Sequence, residues 1–194
     1  MKFSNFLKKL SRFGTLSAEL SDILISELSE YQFERGDLLV NPREVKKHEI
    51  YYIEKGMVRG CDNYRGKRIS IWIAGRDSLL TVQNLKGRSI FIEQMHFLLD
   101  TTLYVLDLEK VLKHISEYPE MTSLLANILY QSILEGKQRE HLLRLYPEDK
   151  VHYMEKNDAL AINSTNLEAI ASYLNLSRRH FIRIRSKIPR RKDF

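Results

Sequence analysis

The chain has 194 residues, with 31 Lys and Arg against 25 Asp and Glu, for a formal net charge of +6. Apolar residues at 43% and charged residues at 29% are ordinary for a globular protein and exclude a disordered chain. No run of about 18 apolar residues occurs, and the single cysteine, Cys61, excludes an intrachain disulfide, a thiolate-only zinc site and a multi-cysteine iron–sulfur cluster. The opening MKFSNFLKKLSRF has too short an apolar core and too many charges for a secretion signal, so a cytoplasmic protein is expected.

The charge is concentrated at one end. Residues 177–194 hold eight basic side chains against Asp193, a net of +7, which leaves the first 176 residues at −1. Such asymmetry points to a polyanionic partner, nucleic acid or a membrane surface, or else to a solvated basic tail.

The N-terminal part reads as helix, because Leu16, Leu20, Ile23, Leu24 and Leu28 recur at three- and four-residue intervals, with Ser17 or Ser21 available as a cap. From Tyr31 the pattern changes to short runs rich in Ile, Val, Tyr and Phe, punctuated by Gly36, Gly56, Gly66, Gly75 and Gly87. Many short strands with glycine turns predict a sandwich or barrel rather than a parallel α/β sheet. Arg65-Gly66-Lys67 reads as a hairpin turn, with glycine supplying the positive φ. After Leu108 the strands stop. Pro119 and Glu120 open a helix of roughly seven turns, with a weak point at Gly136 and its end at Pro147. Its apolar stripe exceeds what one sheet can cover, so Leu125, Ile128, Leu129 and Ile133 are assigned to a partner.

The most specific signal lies between residues 164 and 185. Thr165 and Glu168 form a capping-box pattern, and Leu167, Ile170, Ala171 and Leu174 give the helix that follows a buried face. Asn175 stands where a left-handed turn residue is needed, and Ser177 caps a second helix that buries Phe181 and Ile184. Two helices joined so tightly, with small Ala171 at their approach, predict a helix-turn-helix. The second helix exposes Arg178, Arg179 and Arg183, residues able to bond guanine O6 and N7 in a major groove, while Ser177 suits a phosphate. A basic helix lying on a membrane would leave the cap and the turn without a purpose.

These residues resemble the Crp/Fnr family of bacterial transcription regulators over nearly the whole chain. The matching features are Phe33 to Asp37, Ile50 to Arg59, Gly66-Lys67, Gly75 to Asp77, Pro119-Glu120, Ile170 to Leu174 and Ser177-Arg178. The resemblance implies an α+β fold in three parts. Residues 1–117 would form a β-roll of the double-stranded β-helix, or jelly-roll, type found in cyclic-nucleotide-binding domains. Residues 118–146 would be a dimerisation helix, and residues 147–194 a winged helix-turn-helix. It implies a homodimer on a two-fold pseudo-palindrome in double-stranded DNA, with Arg178, Arg179 and Arg183 at the base-contacting positions. The middle position is often acidic in the family, so Arg179 implies a different half-site.

The family's cyclic-nucleotide members carry a Gly-Glu pair for the ribose and an Arg-Ser/Thr-Ala run for the phosphate. Here Arg88-Ser89 matches the second half, but Gly-Glu is absent and Ile90 replaces the alanine. A repurposed effector pocket at Arg88 and Ser89 is therefore expected, with cyclic nucleotide disfavoured, no cofactor, and the effector unidentified. Cys61 reads as inert core, and His48, His96, His114, His141 and His152 show no metal- or haem-ligand spacing. No P-loop, G-x-S-x-G or H-E-x-x-H occurs, so no enzyme is expected. RNA polymerase is a candidate partner and a membrane is not. The competing reading is a β-roll that binds a ligand or a protein and is anchored by its basic tail.

Overall fold

The structure, a computed structural model, describes residues 2–40, 49–81, 94–164 and 166–188. Its first element is a short helix, α1 (Ser4–Leu10), which sequence periodicity did not reveal because only Phe6 and Leu10 are buried. Next comes α2 (Ala18–Ser26), capped by Ser17, whose Oγ accepts from the Leu20 N–H at 3.2 Å. The apolar run does not continue as helix to Leu28, because Leu28 already opens the first strand.

Among the described residues eight strands follow: β1 (Leu28–Phe33), β2 (Leu38–Val40), β3 (Glu49–Lys55), β4 (Met57–Tyr64), β5 (Lys67–Gly75), β6 (Leu79–Thr81), β7 (Gln94–Phe97) and β8 (Thr101–Asp107). They form two four-stranded sheets, ordered β1-β8-β3-β6 and β2-β7-β4-β5, with antiparallel pairing throughout. The expected jelly-roll type of β-roll is present. Between the sheets lie Tyr51, Ile53, Val58, Met95, Phe97, Leu103 and Val105, joined by Phe33 and Trp72. The Phe33 and Phe97 rings stack with centroids 4.0 Å apart. Trp72 needs Gly60 opposite it, since a Cβ there would sit 2.2 Å from the indole. β3 and β8 are buried along most of their length instead of alternating. Their other face is covered by α1, α2 and the long helix, through Phe6, Leu20, Leu24, Met121, Leu124 and Ile128.

The β4–β5 connection is the predicted hairpin. Arg65 and Gly66 both take positive φ, 51° and 75°, the pattern of a two-residue turn whose twist matches the strands. The run over residues 89–95 is described only from Gln94 onward, so Gly87, Arg88, Ser89 and Ile90 lie outside the described residues.

Past Asp107 every regular element among the described residues is helical. α3 (Leu108–Val111) and a 3-10 turn lead to α4 (Pro119–Arg144). Then come α5 (Pro147–Asn157), α6 (Ala159–Ser164), α7 (Leu167–Tyr173) and α8 (Arg178–Arg185). α4 is 26 residues long, the expected seven turns, and runs unbroken through the weak point at Gly136. One glycine costs about 1 kcal/mol, which neighbouring turns and packing readily absorb. Pro147 ends nothing by itself; it occupies the first turn of α5, where its missing N–H is harmless. A wing after α8 would fall on residues 189–194, which lie outside the described residues together with Arg190, Arg191 and Lys192.

Candidate nucleic-acid interface

α7 and α8 are built as the sequence predicts in all but one detail. The α7 cap is Asn166, whose Oδ1 accepts from the Glu168 N–H at 2.9 Å, and not a Thr165–Glu168 capping box. With the helix starting at Leu167, Glu168 sits one position too early to reach back to the cap. Thr165 itself lies outside the described residues.

The turn that follows is a Schellman motif. The Leu176 N–H donates to the Ala171 carbonyl at 2.9 Å, the Asn175 N–H donates to the Ser172 carbonyl at 3.0 Å, and Asn175 takes φ 53°. Ser177 then caps α8, its Oγ accepting from the His180 N–H at 3.2 Å. The hydroxyl proton of Ser177 remains available to an outside acceptor. Ala169, Ile170, Ala171, Leu174, Phe181 and Ile184 are buried together with Val151, Met154, Ala161 and Ile162 of the preceding helices. That core fixes which face of α8 is left over.

The leftover face carries Arg178, Arg179 and Arg183, all exposed and free of hydrogen bonds and ion pairs among the described residues. At about 100° per residue, Ile182 falls between them, and it is 42% exposed. Sequence reasoning passed over Ile182; the signal was its position amid the arginines, offset from Phe181 and Ile184. Arg185 is different. Its guanidinium donates to Glu155 at 2.8 Å and to Asn163 Oδ1 at 2.6 Å, tying α8 to α5 and α6. One of the eight basic residues of the C-terminal segment is therefore structural.

The helical unit docks on the roll through α7 and β5. The Ser70 N–H donates to Ser172 Oγ at 2.9 Å, and Ser70 Oγ donates to the Ala169 carbonyl at 3.0 Å. Behind Ser70 lies Arg59, only 7% exposed, whose Nη1 donates to Ser70 Oγ at 3.3 Å and whose Nε donates to His96 Nδ1 at 3.0 Å. Burial, then the neighbouring Arg59 and Arg68 cations, holds His96 below the usual histidine range. Further along, the Arg139 Nε of α4 donates to the Ile71 carbonyl at 3.2 Å, while its guanidinium covers the Tyr173 ring at 3.8 Å. Burial lowers the Arg139 pKa and raises that of the Tyr173 hydroxyl. Met57 and Leu98 of the roll join the helical unit's core directly. A cavity of about 540 Å³ opens beside this junction, with Trp72, Leu80, Glu135, Arg139, Tyr153 and Tyr173 in its wall.

The four residues assigned to a partner separate on α4. Ile128 is 3% exposed and packs into its own chain's core, and Leu125 is half-buried against the same cluster, so Ile128 is withdrawn from the partner face. Its place on the stripe turns it toward Phe6 and Tyr52 rather than outward. Leu129 and Ile133 remain open at 50% and 56%, joined by Tyr130 at 61%, which sequence reasoning did not single out. Cys61 is buried, as expected of core. Among the described residues no group of histidine, cysteine or carboxylate side chains could hold a metal, and no helix is long and apolar enough to cross a membrane.

No family model matches the sequence, and no curated protein matches it significantly. Solved structures do resemble it in fold. FixK2 from Bradyrhizobium japonicum superposes with a TM-score of 0.67 at 16% identity, covering 82% of this chain and 83% of its own. The c-di-GMP-responsive global regulator CLP of Xanthomonas campestris gives 0.62 at 14% identity, covering 88% and 91%. A Crp/Fnr-family protein from Eubacterium rectale gives 0.60 at 13% identity, covering 87% and 82%. The chain has the fold of Crp/Fnr-type regulators, a β-roll followed by a C-terminal helical unit.

Proposed function

We propose that this protein is a homodimeric, sequence-specific regulator of transcription that binds double-stranded DNA through α8. The observation that carries this reading is the arginine face. Three guanidiniums without partners among the described residues stand on one side of a helix whose other side, cap and entry turn are fully specified. Arg185, which holds α8 in place, has its acceptors within the chain, whereas these three do not among the described residues. Arg178, Arg179 and Arg183 are suited to base edges and phosphates, Ser177 to a phosphate, and Ile182 to a thymine methyl.

In this reading residues 1–117 are the sensor roll, 118–146 the dimerisation helix and 147–194 the DNA-reading unit. Leu129, Tyr130 and Ile133 form the dimer seam, since an exposed apolar stripe on a helix about 39 Å long favours a second copy of itself. The protein works in the cytoplasm, performs no catalysis, and contacts RNA polymerase when bound beside a promoter. The effector pocket departs from the cyclic-nucleotide pattern at the missing Gly-Glu pair and at Ile90. Calorimetry with cyclic AMP is therefore expected to show no tight one-to-one binding per subunit.

The test is selection of bound duplexes from random DNA, followed by mobility shifts across a salt series. A two-fold-symmetric site should stay bound at salt that strips random fragments. Release of all fragments at one common salt concentration would leave only an electrostatic anchor. Sedimentation should give about twice 22.9 kDa, and Leu129→Glu with Ile133→Glu should return it to one chain.

A further inference from the structure

The roll's β4–β5 hairpin extends beside the DNA-reading unit, and its tip is basic. Arg65, Lys67 and Arg68 are all exposed there, and the side chains of Lys67 and Arg68 make no hydrogen bond or ion pair among the described residues. The acidic side chain nearest in the hairpin is Asp62, opposite Ile69. A charged tip can be an ordinary solvated turn, so its direction decides the matter.

That direction follows from three contacts. Ile71 meets Arg139, which lies over Tyr173 at the C-terminal end of α7. Ser70 bonds Ser172, beside Tyr173, and Ala169, one turn nearer the start of the helix. Buried Arg59 senses both Arg68 and Glu168, the latter in the first turn of α7. Descending from Ile71 through Ser70 thus moves from the C-terminal end of α7 toward its first turn, the direction in which Arg68 and Lys67 follow along β5. The five residue steps from Ser70 down β5 to Arg65 in the turn span at most about 17 Å. In a helix-turn-helix the first helix lies across the sugar–phosphate backbone while the second enters the groove. A strand that runs toward the start of α7 therefore carries its cations along that backbone.

We infer that Lys67 and Arg68 of the roll form a second contact with DNA, on phosphates flanking the sequence that α8 reads. The contact rests on the DNA-binding reading above. It is electrostatic, adds length to the footprint and carries no base preference. It also gives the roll a direct hold on DNA, so that any movement of β5 against α7 would change affinity as well as the pose of α8.

The experiment uses the full-length dimer, the selected duplex trimmed to its site, and the same duplex extended by about ten base pairs on each side, twice the hairpin's reach. The double variant Lys67→Ala/Arg68→Ala should lose on the order of tenfold on the long duplex and shed about two units of salt slope per protomer. On the trimmed duplex it should match wild type. Equal losses on both duplexes, or none on either, would overturn the flanking contact; the latter result would leave the tip a solvated turn. Arg178→Ala serves as the control that fails on both selected duplexes. Wild-type protein that prefers no duplex would sink the DNA-binding reading itself, a result distinct from the others. Matching thermal melts of wild type and the double variant establish that the fold is intact.

Discussion

The arginines that tie elements of the chain together differ from those on the open face of α8 in every respect except charge. Arg59, Arg139 and Arg185 are wholly or partly buried, and each bonds its own chain: a histidine ring and a serine, a carbonyl and a tyrosine face, a carboxylate and an amide, although Arg139 Nη1 is buried without a hydrogen-bond partner among the described residues. Arg178, Arg179 and Arg183 stand in solvent with nothing to bond among the described residues. Burying a guanidinium is costly unless hydrogen bonds replace its lost water, so the first set exists to position elements. The second set costs the fold nothing, and the fold gains nothing from it. α8 shows both kinds of side chain at once: Phe181, Ile184 and Arg185 hold the helix, while the arginine face awaits a ligand.

This division predicts that folding and binding separate by residue. The largest effect on stability is expected from Phe181→Ala, about 3–5 kcal/mol by urea unfolding, because a fully buried ring leaves a cavity between α5, α7 and α8. Arg59→Ala should follow at about 1–3 kcal/mol, losing two hydrogen bonds and the packing behind Ser70. Arg185→Ala, at a partly exposed ion pair, should cost about 1 kcal/mol. Substituting any of Arg178, Arg179 or Arg183 by alanine should alter stability by less than about 0.5 kcal/mol. A large loss at one of these three would break the comparison.

The junction also has a pH dependence of definite sign. His96 accepts the Arg59 Nε–H, and burial and the nearby cations depress its folded pKa below the ordinary 6.5. As pH falls through that value, the unfolded chain takes up a proton that the folded chain resists, so stability drops on the acid side and is unaffected above it. Between about pH 7.5 and 5.5, wild type should lose more stability than His96→Gln, whose side-chain oxygen can accept from Arg59 without titrating. Identical pH profiles would remove His96 from the junction's electrostatics.

Much of this division was legible in sequence. The helix-turn-helix was readable because its determinants are local: Asn175 for a left-handed turn, Ser177 for a cap, Phe181 and Ile184 at helical spacing. The hairpin at Arg65-Gly66 was readable for the same reason. What depended on which face meets which neighbour was not. Ile128 belongs to the same stripe as Leu129, yet one is core and the other solvent, and the packing of α4 on a cluster drawn from α1, α2, β3 and β8 decides between them. Arg59 and Arg185 looked like any surface arginines, because their partners lie 37 and 30 residues away. The docking of α7 on β5 joins Ser70 to residues about a hundred positions distant, and no local pattern announces it.

The central claim, that the unpartnered arginines read sequence and do not merely supply charge, is tested most directly by salt-titrated binding of wild type and Arg178→Ala to the selected duplex and to a scrambled one. Arg178 is the first residue of α8, beside its Ser177 cap, in the part of the helix that meets base edges in a major groove. The account predicts a loss of about 1–3 kcal/mol on the selected duplex and little change on the scrambled one. The same loss on both duplexes would contradict it, leaving α8 as an electrostatic anchor without readout.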